Sequence, residues 1–403
     1  MRIARARRSS LGAGGQKFDV VFYTPFIGWM LSPSAGQPPG GAETQILRLA
    51  KALAARGARV AIIAYDAAGD LPSEADGVSI ISRPGSKSNK RLAGKVRETA
   101  RIWRALRRAP APTVVYRCAG LELGIIGLYT RLTRRRLVFS SASVGDFDFA
   151  RLLRKRRDRL LYQLGVRLAD VVVVQTEEQA ALCEERFGRA PVVIKSLATP
   201  HQGEAGVPRA FLWVGRLVSY KRPLDYLDLA RALPDASFWM LGVPAVSDKR
   251  AGGFGDDVLA QARGLHNVRL LAPRPQPEVE QLMGEAVASV NTADFEGMPN
   301  VLLEAWCRGV PALVLRHDPG GVVARFGLGG FADGSPERLA VLARELWDGR
   351  SERRELSERC QRYIARHHSP ETVARQWASV LSLADLSFAD AVPTTERAAT
   401  CAA

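Results

Sequence analysis

Short β-branched and aliphatic runs alternate along this chain with longer stretches of helical period. "FDVVFYTPF", "RVAIIAY", "TVVYR", "RLVFSSAS", "DVVVVQT" and "PVVIKS" read as strands, with helices expected near 42–56, 88–108, 121–133, 151–169 and 177–187. Near-continuous apolar strands separated by helices are the pattern of a parallel sheet covered on both faces. The rhythm breaks at "ATPHQGEAGVPRA" (198–210), which is rich in Pro, Gly and Ala, has no period and reads as a linker. It restarts with "RAFLWVGRL", "SFWMLG", "NVRLLAP", "VASVNTA" and "PALVLR", and with helices near 222–233, 254–264, 277–285 and 299–308. The expected architecture is α/β, with two successive doubly wound, Rossmann-like domains at 16–198 and 199–369. Residues 1–15 and 388–403 carry no such pattern and read as disordered.

Length and composition narrow this little. A chain of 403 residues is longer than one core usually supports, and its 47% hydrophobic content is that of a soluble globular protein. No apolar run reaches the ~20 residues of a membrane span, and the basic "MRIARARRSSLGAGG" start lacks the apolar core of a secretory signal, so a cytoplasmic location is expected. Five scattered cysteines (Cys118, Cys183, Cys307, Cys360, Cys401), with no C-x-x-C pair, point to free thiols rather than to zinc or disulfides.

Charge changes the picture more. Residues 1–200 hold 34 Lys/Arg against 16 Asp/Glu, and the rest hold 23 against 25, so the net +16 belongs to the first half. That half is expected to meet an anionic partner, or simply to be a solvated basic surface. "RLTRRRLVF" and "RLLRKRRDRL" interleave Arg with Leu, which would suit peripheral contact with an anionic membrane at its inner face. Nucleic acid is not expected, because aromatics are only 7% of the chain and do not interleave the basic runs.

Two segments of the second half carry candidate chemistry. In "FLWVGRLVSYKRPLDY" a strand ends at Gly215, with Arg216 and Lys221 in the loop behind it. Two cations there suit a diphosphate, though alone they also fit a solvated loop. In "EGMPNVLLEAWCRGVP" Glu296 precedes a helix start and Glu304 lies on the helix, with Pro299 suited to its first turn. Two carboxylates flanking a helix N-terminus suggest a polar ligand with its anionic part on the free N–H groups. The plain alternative is a dipole contact for one and solvation for the other.

Taken together, "VGRL…K", "FEGMPNVLLEAWCRGVP" some eighty residues on, and the glycine-rich "PPGGAETQILRLAKALAARGARV" at 38–60 resemble the family 4 glycosyltransferases of the GT-B fold, over most of the chain. The family's E-x7-E motif falls on Glu296 and Glu304. The resemblance implies a retaining hexosyltransferase that uses a nucleoside diphosphate sugar (UDP-sugar or GDP-sugar) and acts on a glycan or lipid-linked acceptor in polysaccharide or glycoconjugate assembly, needing neither metal nor cofactor. It implies that Glu304 holds the ribose hydroxyls and Glu296 the donor sugar, with backbone N–H groups of Gly297, Met298 and Asn300 between them. Arg216 and Lys221 would meet the leaving diphosphate, and Gly40 and Gly41 would bring the first-domain loop to the reaction centre. The final helix, near 370–387, would cross back to the first domain.

Many members place a histidine in the first domain, whereas all five histidines here follow residue 198. The matching stretch is "SSASVGDFDFA", where Asp146 or Asp148 would meet the sugar or acceptor, or else serve a turn or N-cap. Their D-x-D spacing also admits a metal reading, although it sits away from the nucleotide half. Gly320 and Gly321 in "DPGGVVARFGLGG" offer either further ligand contacts or a plain turn. Alternatives of other classes are a sugar-nucleotide epimerase of the same fold and a non-catalytic nucleotide-binding protein.

Overall fold

The computed structural model describes residues 17–32, 40–84, 92–149, 153, 155–201, 206–244 and 253–388. The expected disordered ends, 1–15 and all of 388–403 except Phe388, lie outside these residues.

Among the described residues the strands form two sheets. The first contains β1 (Val20–Tyr23), β2 (Val60–Asp66), β3 (Glu74–Ala75), β4 (Val78–Pro84), β5 (Thr113–Arg117), β6 (Arg136–Ser140), β7 (Val171–Val174) and β8 (Val192–Val193), in the order β3-β4-β2-β1-β5-β6-β7-β8. The second contains β9 (Ala210–Leu217), β10 (Phe238–Pro244), β11 (Val268–Leu270), β12 (Ala286–Asn291), β13 (Ala312–Val314) and β14 (Gly329–Phe331), in the order β11-β10-β9-β12-β13-β14. Every pairing is parallel except β3 with β4. Each sheet starts at its centre, builds to one edge and then returns to build the other. The chain therefore diverges between β1 and β5 and between β9 and β12, leaving a crevice at the strands' carboxyl ends.

Alternation along the strands explains the layers. Val21, Tyr23, Ala61, Ile63 and Val114 pack with helices Leu92–Arg108, Glu122–Leu132 and Arg156–Leu168 on one face of the first sheet. Val20, Phe22, Val60, Ile62 and Val115 pack on the other with helices Gly41–Ala54 and Pro370–Leu381. The last helix thus crosses back: Val373, Ala374, Trp377 and Leu381 join this core, and Glu371 pairs with Arg56 at 2.6 Å. It stops at Leu381 rather than near 387 because Ser382 is left-handed (φ 58°), which lets the Leu383 N–H bond back to Ala378 O at 2.9 Å.

The pattern reading missed β3, β4 and β14. A turn at Asp76 and Gly77, both with positive φ (49° and 78°), joins the first two as a hairpin, and such Asp-Gly pairs are a hairpin signal.

Candidate functional site

The loops after β9 and β12 meet at the second sheet's central crevice. The Asp294 N–H donates to Tyr220 O (2.9 Å) and Thr292 Oγ1 to Lys221 O (2.8 Å), while Tyr220 stacks on Phe295 with centroids 5.2 Å apart. This stitching sets Lys221 beside Glu296, and the two form an ion pair with side chains only 20% and 15% exposed. Arg216 is exposed, and its guanidinium donates to Tyr220 Oη at 3.0 Å. Gly215 faces the Trp213 ring, which a Cβ would approach to 3.1 Å.

Pro299 sits at the N-cap, one position ahead of the helix Asn300–Cys307. Leu302, Leu303, Ala305 and Trp306 bury one side of that helix. Met298 is also core, 6% exposed in the cluster with Leu302 and Trp306, so only its backbone faces the loop. The other side of the helix meets the first domain. Asn300 Nδ2 donates to Gly41 O (3.0 Å), Asn300 Oδ1 accepts from Gln45 Nε2 (2.8 Å), and Glu304 pairs with Arg48 at 2.9 Å. Gly41, Gln45 and Arg48 lie three and four residues apart, on one stripe of their helix.

Glycine is required at Gly297. A Cβ there would fall 2.3 Å from Ala142 O of the first domain and 2.6 Å from the Gln175 side chain. Gln175 is best satisfied with its amide nitrogen donating to Ala142 O (3.1 Å) and its oxygen accepting from Ser196 Oγ (2.7 Å) and Arg117, an orientation assigned from the hydrogen-bond network. Gly40 begins the first-domain helix beside the Glu43 carboxylate, where a Cβ would collide.

The tentative acceptor-side role does not fit Asp146. Its carboxylate is 3% exposed and accepts from the N–H groups of Ala142 (2.6 Å), Ser143 (3.3 Å) and Ala119 (3.0 Å) and from Ser141 Oγ (3.1 Å). Burial pushes its pKa up while these bonds pull it down. It is the turn and capping residue of Val144–Asp146, and both its oxygens already accept hydrogen bonds from the protein. Asp148, two residues on, is half-buried. Gly320 and Gly321 are both left-handed (φ 68° and 66°), and Asp318 accepts from Val323 N and Ala324 N to start the following helix, which is the plain-turn geometry.

Reading the sequence missed Arg48, Gln45 and Gln175. The 41/45/48 spacing was available as a signal, but the facing helix was not. The assembled site has two carboxylates, each on a cation, beside a helix N-terminus: a set of groups able to hold hydroxyls and phosphates.

Sequence comparison matches residues 40–198 to the Glycosyl transferase 4-like domain and residues 199–363 to Glycosyl transferases group 1. Among solved structures, sucrose-phosphate synthase from Thermosynechococcus elongatus is similar with a TM-score of 0.71 at 15% identity, covering 91% of this chain and 98% of that one. HepE of Anabaena, in complex with UDP, gives 0.67 at 15% over 91% and 100%. WaaG, a glycosyltransferase involved in lipopolysaccharide biosynthesis, gives 0.62 at 17% over 89% and 99%. At these identities the likeness establishes the fold. An exopolysaccharide phosphotransferase of Streptomyces coelicolor is 31% identical over 177 residues; the match takes in 38% of this chain and only 18% of that protein.

Proposed function

We propose that this chain, which belongs to the glycosyltransferases of the GT-B fold, moves a hexose-type sugar from a nucleoside diphosphate sugar to a glycan or lipid-linked glycan. In this reading it acts with retention of configuration, without metal or cofactor, in surface polysaccharide or glycoconjugate assembly. The observation that carries the reading is the pair of partly buried carboxylates at the second sheet's crevice, Glu296 on Lys221 and Glu304 eight residues on.

An ionised carboxylate has two oxygens for the two vicinal hydroxyls of a ribose, and Glu304 takes that role. Glu296 takes hydroxyls of the donor sugar. The bond from the anomeric carbon to the β-phosphate oxygen breaks, a bond from the acceptor hydroxyl oxygen to that carbon forms, and the hydroxyl proton passes to the departing phosphate. Negative charge gathers on the departing diphosphate, where Lys221, Arg216 and the N–H groups of Gly297, Met298 and Asn300 are fixed in advance. Gly40 and Gly41 bring the first domain close to this centre, and acceptor binding falls to that domain.

Location at the cytoplasmic face of a membrane belongs to the same proposal. It is supported by helices Glu122–Leu132 and Arg156–Leu168, which carry exposed Leu128, Leu132 and Leu160 among arginines. None of the described helices is long and apolar enough to cross a membrane.

A panel of nucleotide sugars, screened for thermal stabilisation and then for transfer or hydrolysis, tests the reading. Stabilisation with turnover supports it. Epimerised donor without any acceptor would make the protein an epimerase, and binding without turnover a nucleotide-binding protein. No stabilisation across the panel would overturn the reading.

A further inference from the structure

The ion pair between Arg48 and Glu304 joins the two domains through the carboxylate that the reading above gives to the ribose. Arg48 Nη2 lies 2.9 Å from Glu304 Oε1, with the two side chains 24% and 15% exposed. The pair closes a short zipper. Asn300 and Glu304, four residues apart on one helix, meet Gly41, Gln45 and Arg48 on the other. Gln45 is anchored in turn: its Nε2 also donates to Leu197 O (3.0 Å) and its Oε1 accepts from the Leu197 N–H (2.8 Å). The stripe is therefore held in place, and Arg48 is delivered to Glu304 by a rigid element.

A carboxylate that accepts from both hydroxyls of a vicinal diol needs both oxygens turned to the ligand. In the structure Arg48 holds one of them, Oε1. We propose that Arg48 is a positioning residue that competes with the nucleotide for Glu304. Donor that draws on Oε1 weakens that oxygen's bond to the guanidinium, and this couples nucleotide binding to the relative placement of the two domains. The inference rests on the ribose role of Glu304, and its test separates the two.

The probe is whichever of uridine, guanosine, adenosine or thymidine diphosphate stabilises the wild-type protein most, with affinity read by calorimetry. A partly exposed ion pair is a modest competitor, so Arg48→Ala is expected to bind the diphosphate about 2- to 5-fold more tightly than wild type. Arg48→Lys, which keeps a cation on a flexible stem, is expected to stay near wild type. The gain in Arg48→Ala should shrink at high salt, which screens the pair in wild type. Simple loss of structure would weaken binding and would not depend on salt in this way. In a Glu304→Ala background, Arg48→Ala should change affinity by less than about 1.5-fold, because the shared carboxylate is gone. If Glu304→Ala weakens binding while Arg48→Ala does not tighten it, the competition is refuted and the ribose role stands. If Glu304→Ala leaves affinity unchanged, the ribose role falls and the competition falls with it.

Discussion

Gly297→Ala tests whether the observed contact between the two domains is the one used in turnover. The added methyl carbon would lie 2.3 Å from Ala142 O and 2.6 Å from the Gln175 side chain, and 3.1 Å from the Ala142 carbonyl carbon. The first obstacle is backbone, so rotation of a side chain cannot relieve it. The gap must open by roughly an ångström to reach ordinary contact, and overpacking of this kind costs about 1–3 kcal/mol. Neither sheet need unfold to relieve it, because the domains can part instead. Parting strains the 3.5 Å contact from Val144 N to Glu296 O and the Asn300 and Arg48 ties. The variant is expected to lose about 5- to 150-fold in turnover, the rate equivalent of that cost. Nucleoside diphosphate affinity should hold or rise by up to about fivefold, since Lys221, Glu296 and Glu304 stay on the second domain while the Arg48 tie to Glu304 loosens. Small-angle scattering should show a larger radius of gyration for the free protein. Full activity with an unchanged radius would mean that this loop contact is not part of the working enzyme.

Three further outcomes are expected. Transferase activity should survive excess chelator, and Arg216→Ala and Lys221→Ala should lower turnover more than donor affinity, as contacts that strengthen in the transition state do; activity lost to chelator and restored by manganese would sink this. Vesicles of phosphatidylglycerol should sediment the protein at low salt, and Leu128→Asn with Leu132→Asn and Leu160→Asn should abolish this; equal binding to phosphatidylcholine, or none to either, would remove the membrane contact. Stability should fall as pH drops from about 6.5 towards 3, because burial lowers His368 to about 3 between Ser196 O (2.6 Å from Nδ1) and Tyr363 Oη, so the unfolded chain takes up a proton that the folded one refuses. The slope contributed is up to about 1.4 kcal/mol per pH unit, and His368→Asn, which can keep a donor to Ser196 O, should flatten it; an unchanged slope would show that His368 is not the group responsible.

How much of this was legible in the sequence depends on how local each cause is. Both doubly wound sheets show in the alternation of apolar runs and helices because both faces of each strand are covered, as Val20 to Tyr23 illustrate with no exposure at all. The Asp76–Gly77 hairpin was equally local and was passed over, since β3 is two residues long and offers no period to read. The carboxylates were legible as types and spacings, yet their partners were not. Lys221 lies 75 residues from Glu296, and Arg48 lies 256 from Glu304. Asp146 shows the opposite failure. A D-x-D pattern states that two carboxylates are near each other, but whether their lone pairs remain available depends on where the neighbouring N–H groups point. Here three backbone N–H groups and a serine hydroxyl converge on Asp146. The helix stripes lie between these cases. Residues 41, 45 and 48 form one stripe by helical geometry alone, and 300 and 304 form another. Nothing in either stripe says that they face each other, because that follows from how the two domains dock. Gly297 and Ala142 decide the docking distance, and a glycine required only because a carbonyl from the other domain sits against it has no local signature.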